Sequence, residues 1–217
     1  MKRAVLILGM VALLAAPAAP VAAQWLGEPV WNSPKGGTGL TIYADYGKPN
    51  DSYGSGNAFG GRVSLGLGTL TLTAGLSTYK DSLGPDRITS YGGNAEFRLI
   101  GGSLLPVAVN LQAGAARSDS ANSTAAQTVV TGAAGISVPL PTPGFSVEPY
   151  LSPGVRYRNF GTGNGSSTEF GYAIGANLSF GLLGVHLAYD NEKLKGGGSV
   201  GVFGVGAHVA IKLPLGM

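Results

Sequence analysis

Between Glu169 and Asp190, apolar and small or polar residues alternate at every second position of the chain. The first half places six apolar side chains on one face: Phe170, Tyr172, Ile174, Ala176, Leu178 and Phe180. After a turn at Gly181 and Leu182, the alternation resumes with Leu183, Val185, Leu187 and Tyr189. Successive side chains of a strand point to opposite faces. This stretch therefore predicts a β-hairpin with one apolar surface and one small, polar surface.

The same alternation recurs along the chain and predicts ten strands. Their bounds are 37–46, 58–67, 69–79, 88–99, 105–117, 127–138, 145–158, 168–180, 183–192 and 200–213. The connections alternate between longer polar loops and generally shorter turns, which is typical of barrels in outer membranes. Closing the sheet removes every strand edge, as a lipid environment requires. We therefore predict an all-β, transmembrane, antiparallel up-and-down β-barrel of ten strands, with eight strands as the alternative.

Aromatic residues on the apolar faces fall near the predicted strand ends. Near the longer loops are Tyr46, Phe59, Tyr91, Tyr157, Tyr172, Tyr189 and Phe203, and near the shorter turns are Phe97, Phe145 and Phe180. Aromatic rings prefer the two interfaces between a membrane and water, whereas aliphatic residues fill the middle. The pattern predicts two aromatic girdles and an outer face in contact with outer-membrane lipid.

Composition supports this interpretation over a soluble all-β domain. Charged residues make up 12% of the chain, against about 25% in ordinary soluble domains. A soluble sandwich needs a charged outer face, and most of the predicted strands lack one. The chain contains no cysteine, which excludes a disulfide framework and thiolate chemistry.

The amino terminus has the layout of a secretory signal peptide. Met1, Lys2 and Arg3 precede an apolar run from Ala4 to Ala16, and small residues precede Gln24. We predict a signal peptide at 1–23, a lead-in at 24–36 tucked against the barrel rim, and the barrel at 37–217. Removing Lys2 and Arg3 from the 14 basic residues leaves 12 against 11 acidic ones, so nucleic acid is not an expected partner. The expected partners are the export and barrel-assembly machinery, and the expected location is the bacterial outer membrane.

Charged and histidine side chains fall on the predicted inward faces, where a membrane barrel tolerates them. The candidates for a polar network in the lumen are Arg62, Glu96, Arg98, Glu148, Arg156, Arg158, His186, Asp190, His208 and Lys212. Both signs are present, whereas an ion-selective pore favours rings of one sign. Arg98, Glu96, Glu148 and Lys212 lie at similar predicted depth, so we expect their pairing to constrict the lumen.

Neither a metal site nor a catalytic site is predicted. His186 and His208 lie on adjacent strands, but zinc requires a third ligand, and Asp190 is about 13 Å from His186 along the strand. Outer-membrane proteases need acid pairs and an Asp–His pair at the outer mouth, and both histidines lie lower in the wall. Lipid-modifying barrel enzymes need a Ser–His–acid set facing lipid, and neither histidine has that parity. No cofactor is expected.

Two prolines in the seventh predicted strand interrupt an otherwise regular pattern. Pro149 and Pro153 lack backbone N–H groups and, being four residues apart, face the same neighbouring strand. Two interpretations remain open at this stage: a β-bulge that reshapes the lumen, or a strand that is bent or shorter than 145–158.

The segment Gly144–Arg158, GFSVEPYLSPGVRYR, resembles strands of the small outer-membrane β-barrel superfamily, which includes OmpA-, OmpX- and OmpW-like barrels. The matching residues are Pro149, Tyr150, Ser152, Gly154 and Tyr157. The chain departs from that family in its predicted strand count and in ending on Leu213–Met217, without a terminal aromatic residue. The resemblance implies a non-enzymatic integral outer-membrane protein, either structural or a narrow passive conduit. A small-solute porin and a barrel enzyme that acts on protein or lipid are the alternatives.

Overall fold

The computed structural model describes residues 25–51, 55–80, 82, 84–101, 105–121, 126–161, 165–194 and 196–211. The predicted signal peptide at 1–23 and the candidate lumen residue Lys212 lie outside these ranges. Within them, no helix has the length and hydropathy needed to cross a membrane.

Strands make up about three quarters of the described chain. They are β1 Gly37–Pro49, β2 Asn57–Gly68, β3 Leu70–Lys80, β4 Ile88–Ile100, β5 Ala108–Ser118, β6 Gln127–Ser137, β7 Leu140–Thr142, β8 Phe145–Asn159, β9 Ser166–Phe180, β10 Leu183–Lys193 and β11 Ser199–Ile211. Ten of these strands are long, and β7 is a strand of 3 residues that pairs with β8 alone. The connection between the predicted strands 127–138 and 145–158 therefore contains a short strand that the alternation did not predict.

The strand pairing forms a closed antiparallel barrel. Each strand from β1 to β6 pairs with the next, and β8 to β11 do the same. Two further pairings, β1 with β11 and β6 with β8, close the ring of ten strands. The prediction of ten strands is confirmed, and the eight-stranded alternative is wrong.

The outer surface of the barrel is apolar along its whole middle. Leu76, Ile174 and Val155 are 54%, 52% and 54% exposed although they lie inside long strands. Their strand neighbours of opposite parity, such as Ser77, Ala173 and Arg156, are buried. A water-soluble protein rarely exposes so large a continuous apolar surface. The polar interior and apolar exterior are those of a barrel surrounded by lipid.

Strand β8 keeps its full length despite the two prolines and contains no bulge, so the interpretations of a β-bulge and of a shorter strand are wrong. Its ladder with β9 is unbroken, and Pro149 pairs with Ala176 while Pro153 pairs with Tyr172. The pairing with β6 is interrupted at residues 152 and 153, between Gly154 and Leu151, and resumes in the same register. Proline N–H groups are missing on the β6 side, which interrupts that ladder without inserting a bulge. The sheet has a register shift elsewhere, between Arg98 and Ile100.

Candidate functional site

Residues 25–36, which we call the lumen segment, lie inside the barrel. The expectation that they rest against the rim is wrong. Leu26 packs near the long-loop end against Ala58, Tyr79 and Ile88. From there the segment descends to the short-turn end and continues into β1 at Gly37. Residues 25–32 and Pro34 are buried, so the segment fills the lumen along most of the barrel height.

Small residues in the wall make room for the lumen segment. A Cβ on Gly47 would lie 2.0 Å from the backbone oxygen of Gly27, and one on Gly135 would lie 2.1 Å from Nδ2 of Asn32. Real Cβ atoms do not approach other atoms so closely. At Gly47, Gly135 and Gly204, the wall therefore meets the lumen segment with no room for a side chain.

The middle of the lumen is packed around Trp31. The centres of the Trp31 and His186 rings are 4.6 Å apart, and the two rings are nearly perpendicular. The guanidinium carbon of Arg62 lies 5.1 Å from the centre of the Trp31 ring and 4.2 Å from that of Tyr43. The backbone oxygen of Trp31 accepts a hydrogen bond of 2.8 Å from Gln112. Cation–π contact is strongest where water is excluded. This cluster therefore binds the lumen segment by electrostatic attraction as well as by packing.

Buried ion pairs flank the Trp31 cluster. Nε of Arg62 donates to Asp45 at 2.6 Å, and Nη1 of Arg156 donates to Asp190 at 2.6 Å. Asp190 also accepts a hydrogen bond of 3.1 Å from the backbone N–H of Val30 in the lumen segment. Nearer the long loops, Arg158 pairs with Glu192 through bonds of 2.7 and 2.5 Å. Buried charges require such partners because desolvation of an isolated ion is costly.

Asn32 anchors the lumen segment through a cluster of amides. Its Nδ2 donates to Ser152 at 2.9 Å and to Asn110 at 3.2 Å, and Asn110 donates back to Oδ1 of Asn32 at 2.7 Å. Nδ2 of Asn177 donates to the backbone oxygen of Asn32 at 2.9 Å. Three wall strands, β5, β8 and β9, are thereby tied to one residue of the segment.

Glu148 binds the lower end of the lumen segment and is fully buried. Its carboxylate accepts hydrogen bonds of 2.8 Å from the Ser33 hydroxyl, the Lys35 backbone N–H and the Ser137 hydroxyl. Nζ of Lys35 lies 3.7 Å from Oε2 of the same carboxylate. Charge-assisted hydrogen bonds are the strong class, and this carboxylate receives several. We call Glu148 and its partners Ser33 and Lys35 the Glu148 clamp.

The predicted constriction by ion pairs across the lumen is wrong for the described residues. Arg98 donates to the backbone oxygen of Lys35 at 2.5 Å instead of pairing with Glu148. Oε2 of Glu96 accepts from Asn110 at 3.3 Å, and Oε1 accepts from Asn94 at 3.2 Å. These side chains hold the lumen segment and its neighbours, because that segment occupies the space across which the ion pairs were expected.

The aromatic residues predicted for the girdles lie on the outer surface. At the short-turn end, Phe145 and Phe180 stack with ring centres 6.1 Å apart. At the long-loop end, the ring centres of Tyr46 and Phe59 are 5.3 Å apart. The other exposed rings are Tyr91, Phe97, Tyr157, Tyr172, Tyr189 and Phe203. A closed barrel whose outer surface is apolar in the middle and aromatic near both ends has the architecture of a barrel that spans a membrane. This chain is an outer-membrane β-barrel.

The solved structures described below have 12–16% sequence identity with this chain. No family model and no curated protein matches the sequence. Among solved structures, the outer membrane enzyme PagL has 14% identity over 79% of this chain and 99% of its own, with a TM-score of 0.48. Neisserial surface protein A has 16% identity over 80% and 98%, with a TM-score of 0.37. The chain spans 57% of a bacterial polysaccharide outer membrane secretin, with 12% identity, 73% of this chain covered and a TM-score of 0.48.

The two histidines of the outer-membrane β-barrel lie side by side on the inner face of the adjacent strands β10 and β11. Nδ1 of His208 lies 3.4 Å from Nδ1 of His186, and Nε2 of His186 lies 2.6 Å from Oδ1 of Asp45. Asp190 is engaged by Arg156. Among the described residues, no group of three His, Cys, Asp or Glu side chains has the spacing of a metal site. The polar environment of His186 is made by Asp45, Arg62 and His208.

Space remains beside the lumen segment at its lower end. A cavity of about 210 Å³ is lined by Lys35, Thr41, Ser179, His208 and neighbouring small residues. A smaller cavity of about 40 Å³ shares Ser33, Tyr43, Ser64, Thr71 and Asn177 with it and ends against Trp31 and Arg62. The described lumen is therefore partly open from the short-turn side and packed at mid-height.

The residues of the lumen segment are the ones that sequence reasoning missed. Asn32, Ser33 and Lys35 have no alternating pattern and fall in the lead-in that was predicted to rest against the rim. The available signal was the presence of both tryptophans, Trp25 and Trp31, in a short stretch rich in proline. Two large amphipathic rings so close to the first strand indicate a segment that needs a buried surface to pack against.

Proposed function

We propose that this protein is a structural, non-enzymatic outer-membrane barrel whose lumen is kept shut by its own lumen segment. One observation carries the proposal: residues 25–32 are buried inside the ring of strands and hydrogen bonded to its wall. A barrel of about eight strands is filled by wall side chains alone, and wider barrels leave room. In this ten-stranded barrel the extra room is filled by the lumen segment.

A steady passive conduit fits this geometry less well. The cavity at the short-turn end stops where Trp31, Arg62 and His186 pack together. Ions that crossed this level would have to displace a buried indole and disrupt the Arg62–Asp45 pair, whose side chains are 8% and 1% exposed. A buried pair broken on one side costs about 3–5 kcal/mol. Such openings would be rare events.

The enzymatic alternative lacks a catalytic arrangement in the described residues. His186 is oriented by Asp45, as a general base would be, but its other described polar contacts are Arg62 and His208. A cation and a second imidazole in these places do not supply a nucleophile. The proposal of a non-enzymatic barrel is supported by this set of partners.

Single-channel recording in planar bilayers tests the proposal. Purified native protein is expected to show no steady conductance. Ser33→Asp puts a second carboxylate beside Glu148, whose Oε2 now accepts from Ser33 at 2.8 Å. Like charges this close repel, so the lower end of the lumen segment should leave the wall and intermittent openings should appear. Ser120→Asp, at an exposed loop residue, is the matched control and should remain silent.

Two results would overturn the proposal. A large, steady conductance of the native protein would show that the lumen segment does not close the barrel and would favour the small-solute porin. Turnover of a phospholipid, a glycolipid or a peptide by the native protein, lost in His186→Gln, would favour the barrel enzyme.

A further inference from the structure

Basic residues on the outer face of the barrel are confined to one end. In the described strands, the side chains of Lys48, Lys80, Arg117 and Lys193 are exposed and share the parity of the lipid-facing residues. All four occupy the long-loop ends of their strands. We call them the outer cationic belt.

The belt has no acidic counterpart on the same face. Every carboxylate of the described strands has inward parity: Asp45, Glu96, Glu148, Glu169, Asp190 and Glu192. None of the described ion pairs includes a belt residue. Exposed carboxylates Asp51, Asp86 and Asp119 belong to the loops and not to the strands. In the described strands, no carboxylate of the lipid-facing surface therefore neutralises the belt.

Three of the four belt residues lie at the depth of the upper aromatic girdle, and Lys193 lies four residues beyond Tyr189, further towards the loops. Arg117 is paired across strands with Tyr91, and Lys48 is paired with Phe203. Lys80 lies two residues beyond Thr78, which is paired with Phe59. Aromatic rings of a girdle sit at the level of lipid headgroups, so the cations beside them reach the same level.

The belt covers one side of the barrel at regular intervals. Its residues lie on β10, β1, β3 and β5, which are separated from one another by β11, β2 and β4. Two strand spacings amount to roughly 10 Å. Between them, above β2, Arg87 lies over the Phe59 ring at 5.3 Å from its centre. The pattern stops at β8, where Arg158 points inward and pairs with Glu192.

We propose that the outer cationic belt binds the phosphate groups of anionic lipids in the outer leaflet. Lysine and arginine pair with phosphate by charge-assisted hydrogen bonds. Exposed cations on a lipid-facing surface have no partner in the hydrocarbon, and long side chains reach the headgroups. The outward residues near the short turns, such as Leu67, Leu99 and Phe180, are apolar and offer no such contact. The belt thus selects phosphate-bearing lipids along seven neighbouring strands, from β10 to β5.

Lipid association in mixed vesicles tests the proposal. The native protein is reconstituted in phosphatidylcholine containing a spin-labelled anionic phospholipid, and the spectrum gives the ratio of lipid bound at the protein to lipid in the bulk. Attraction of a cation for an anionic headgroup corresponds to roughly a fivefold preference per contact. The anionic label should be enriched several-fold over a spin-labelled phosphatidylcholine, and less so at high salt.

Two variants separate charge from packing. Replacing the four belt residues by Gln should bring the enrichment close to one, while Lys48→Arg, Lys80→Arg and Lys193→Arg together should retain it. Both proteins are checked for native gel mobility before the measurement. Equal enrichment in the native and Gln proteins would overturn the proposal. Displacement of the lipid by inorganic phosphate, beyond that caused by chloride of equal ionic strength, would show a site for free phosphate and would also overturn it.

Discussion

Glu148→Ala should release the lower end of the lumen segment while the strands stay paired. The substitution leaves the Lys35 backbone N–H and the Ser33 hydroxyl without their acceptor, each at 2.8 Å in the native protein. It also removes the ionic partner of Lys35. The side chain of Lys35 is 33% exposed, so the main cost is that of buried donors left without an acceptor, about 1–3 kcal/mol each. Glu148 joins the lumen segment to the barrel wall. Most of this cost should therefore weaken the binding of the lumen segment to the wall, rather than the pairing of the strands.

Tryptophan fluorescence measures this separation directly. The chain has 2 tryptophans, and Trp25 and Trp31 both lie in the lumen segment. In a urea titration in detergent micelles, their emission reports the segment, while far-ultraviolet circular dichroism reports the strands. The two transitions should coincide in the native protein. In Glu148→Ala, the fluorescence transition should move to lower urea and precede the loss of strand signal.

Glu192→Ala is the matched control for this experiment. Glu192 is as buried as Glu148, but its charged partners are Arg158 and Arg156 in the wall. This variant should lower both transitions together. An unchanged fluorescence transition in Glu148→Ala, or identical behaviour of the two variants, would refute the role of the Glu148 clamp.

Three further predictions concern the two faces of the wall and the fit of the segment. Leu72, which is 42% exposed on the outer face, should lower the free energy of unfolding by roughly 2–4 kcal/mol when it is replaced by Arg, as measured by refolding titrations into vesicles. Thr41→Arg, beside the 210 Å³ cavity, should cost less. Equal costs would mean that the faces are reversed. Gly47→Ala, whose Cβ would lie 2.0 Å from the Gly27 oxygen, should lower the free energy of unfolding by about 1–3 kcal/mol and shift the tryptophan emission. Gly132→Ala has no atom within 4 Å of its new Cβ and should change neither quantity. Neither carboxyl oxygen of buried Glu28 has a hydrogen-bond partner in the described chain, so Glu28→Met should raise the free energy of unfolding by about 1–3 kcal/mol; a lower urea midpoint would contradict this.

The strand ladder was predictable because its information is local. Alternation with period two assigns each residue of a strand to a face without knowledge of its partners. That is why the predicted bounds 88–99 and 127–138 differ by only one residue from β4 and β6. The same parity explains why Tyr91 lies on the outer surface and Arg62 on the inner one.

The contents of the lumen were decided by tertiary structure. Val30 and Asp190 are 160 residues apart in the chain, and Ser33 and Glu148 are 115 apart. Such contacts exist only after β1 pairs with β11 and the ring closes. A segment without regular backbone pairing carries no periodic pattern that would reveal its position. Local alternation thus determined the wall, whereas the closed ring, by bringing distant strands around one short peptide, determined that the lumen is filled.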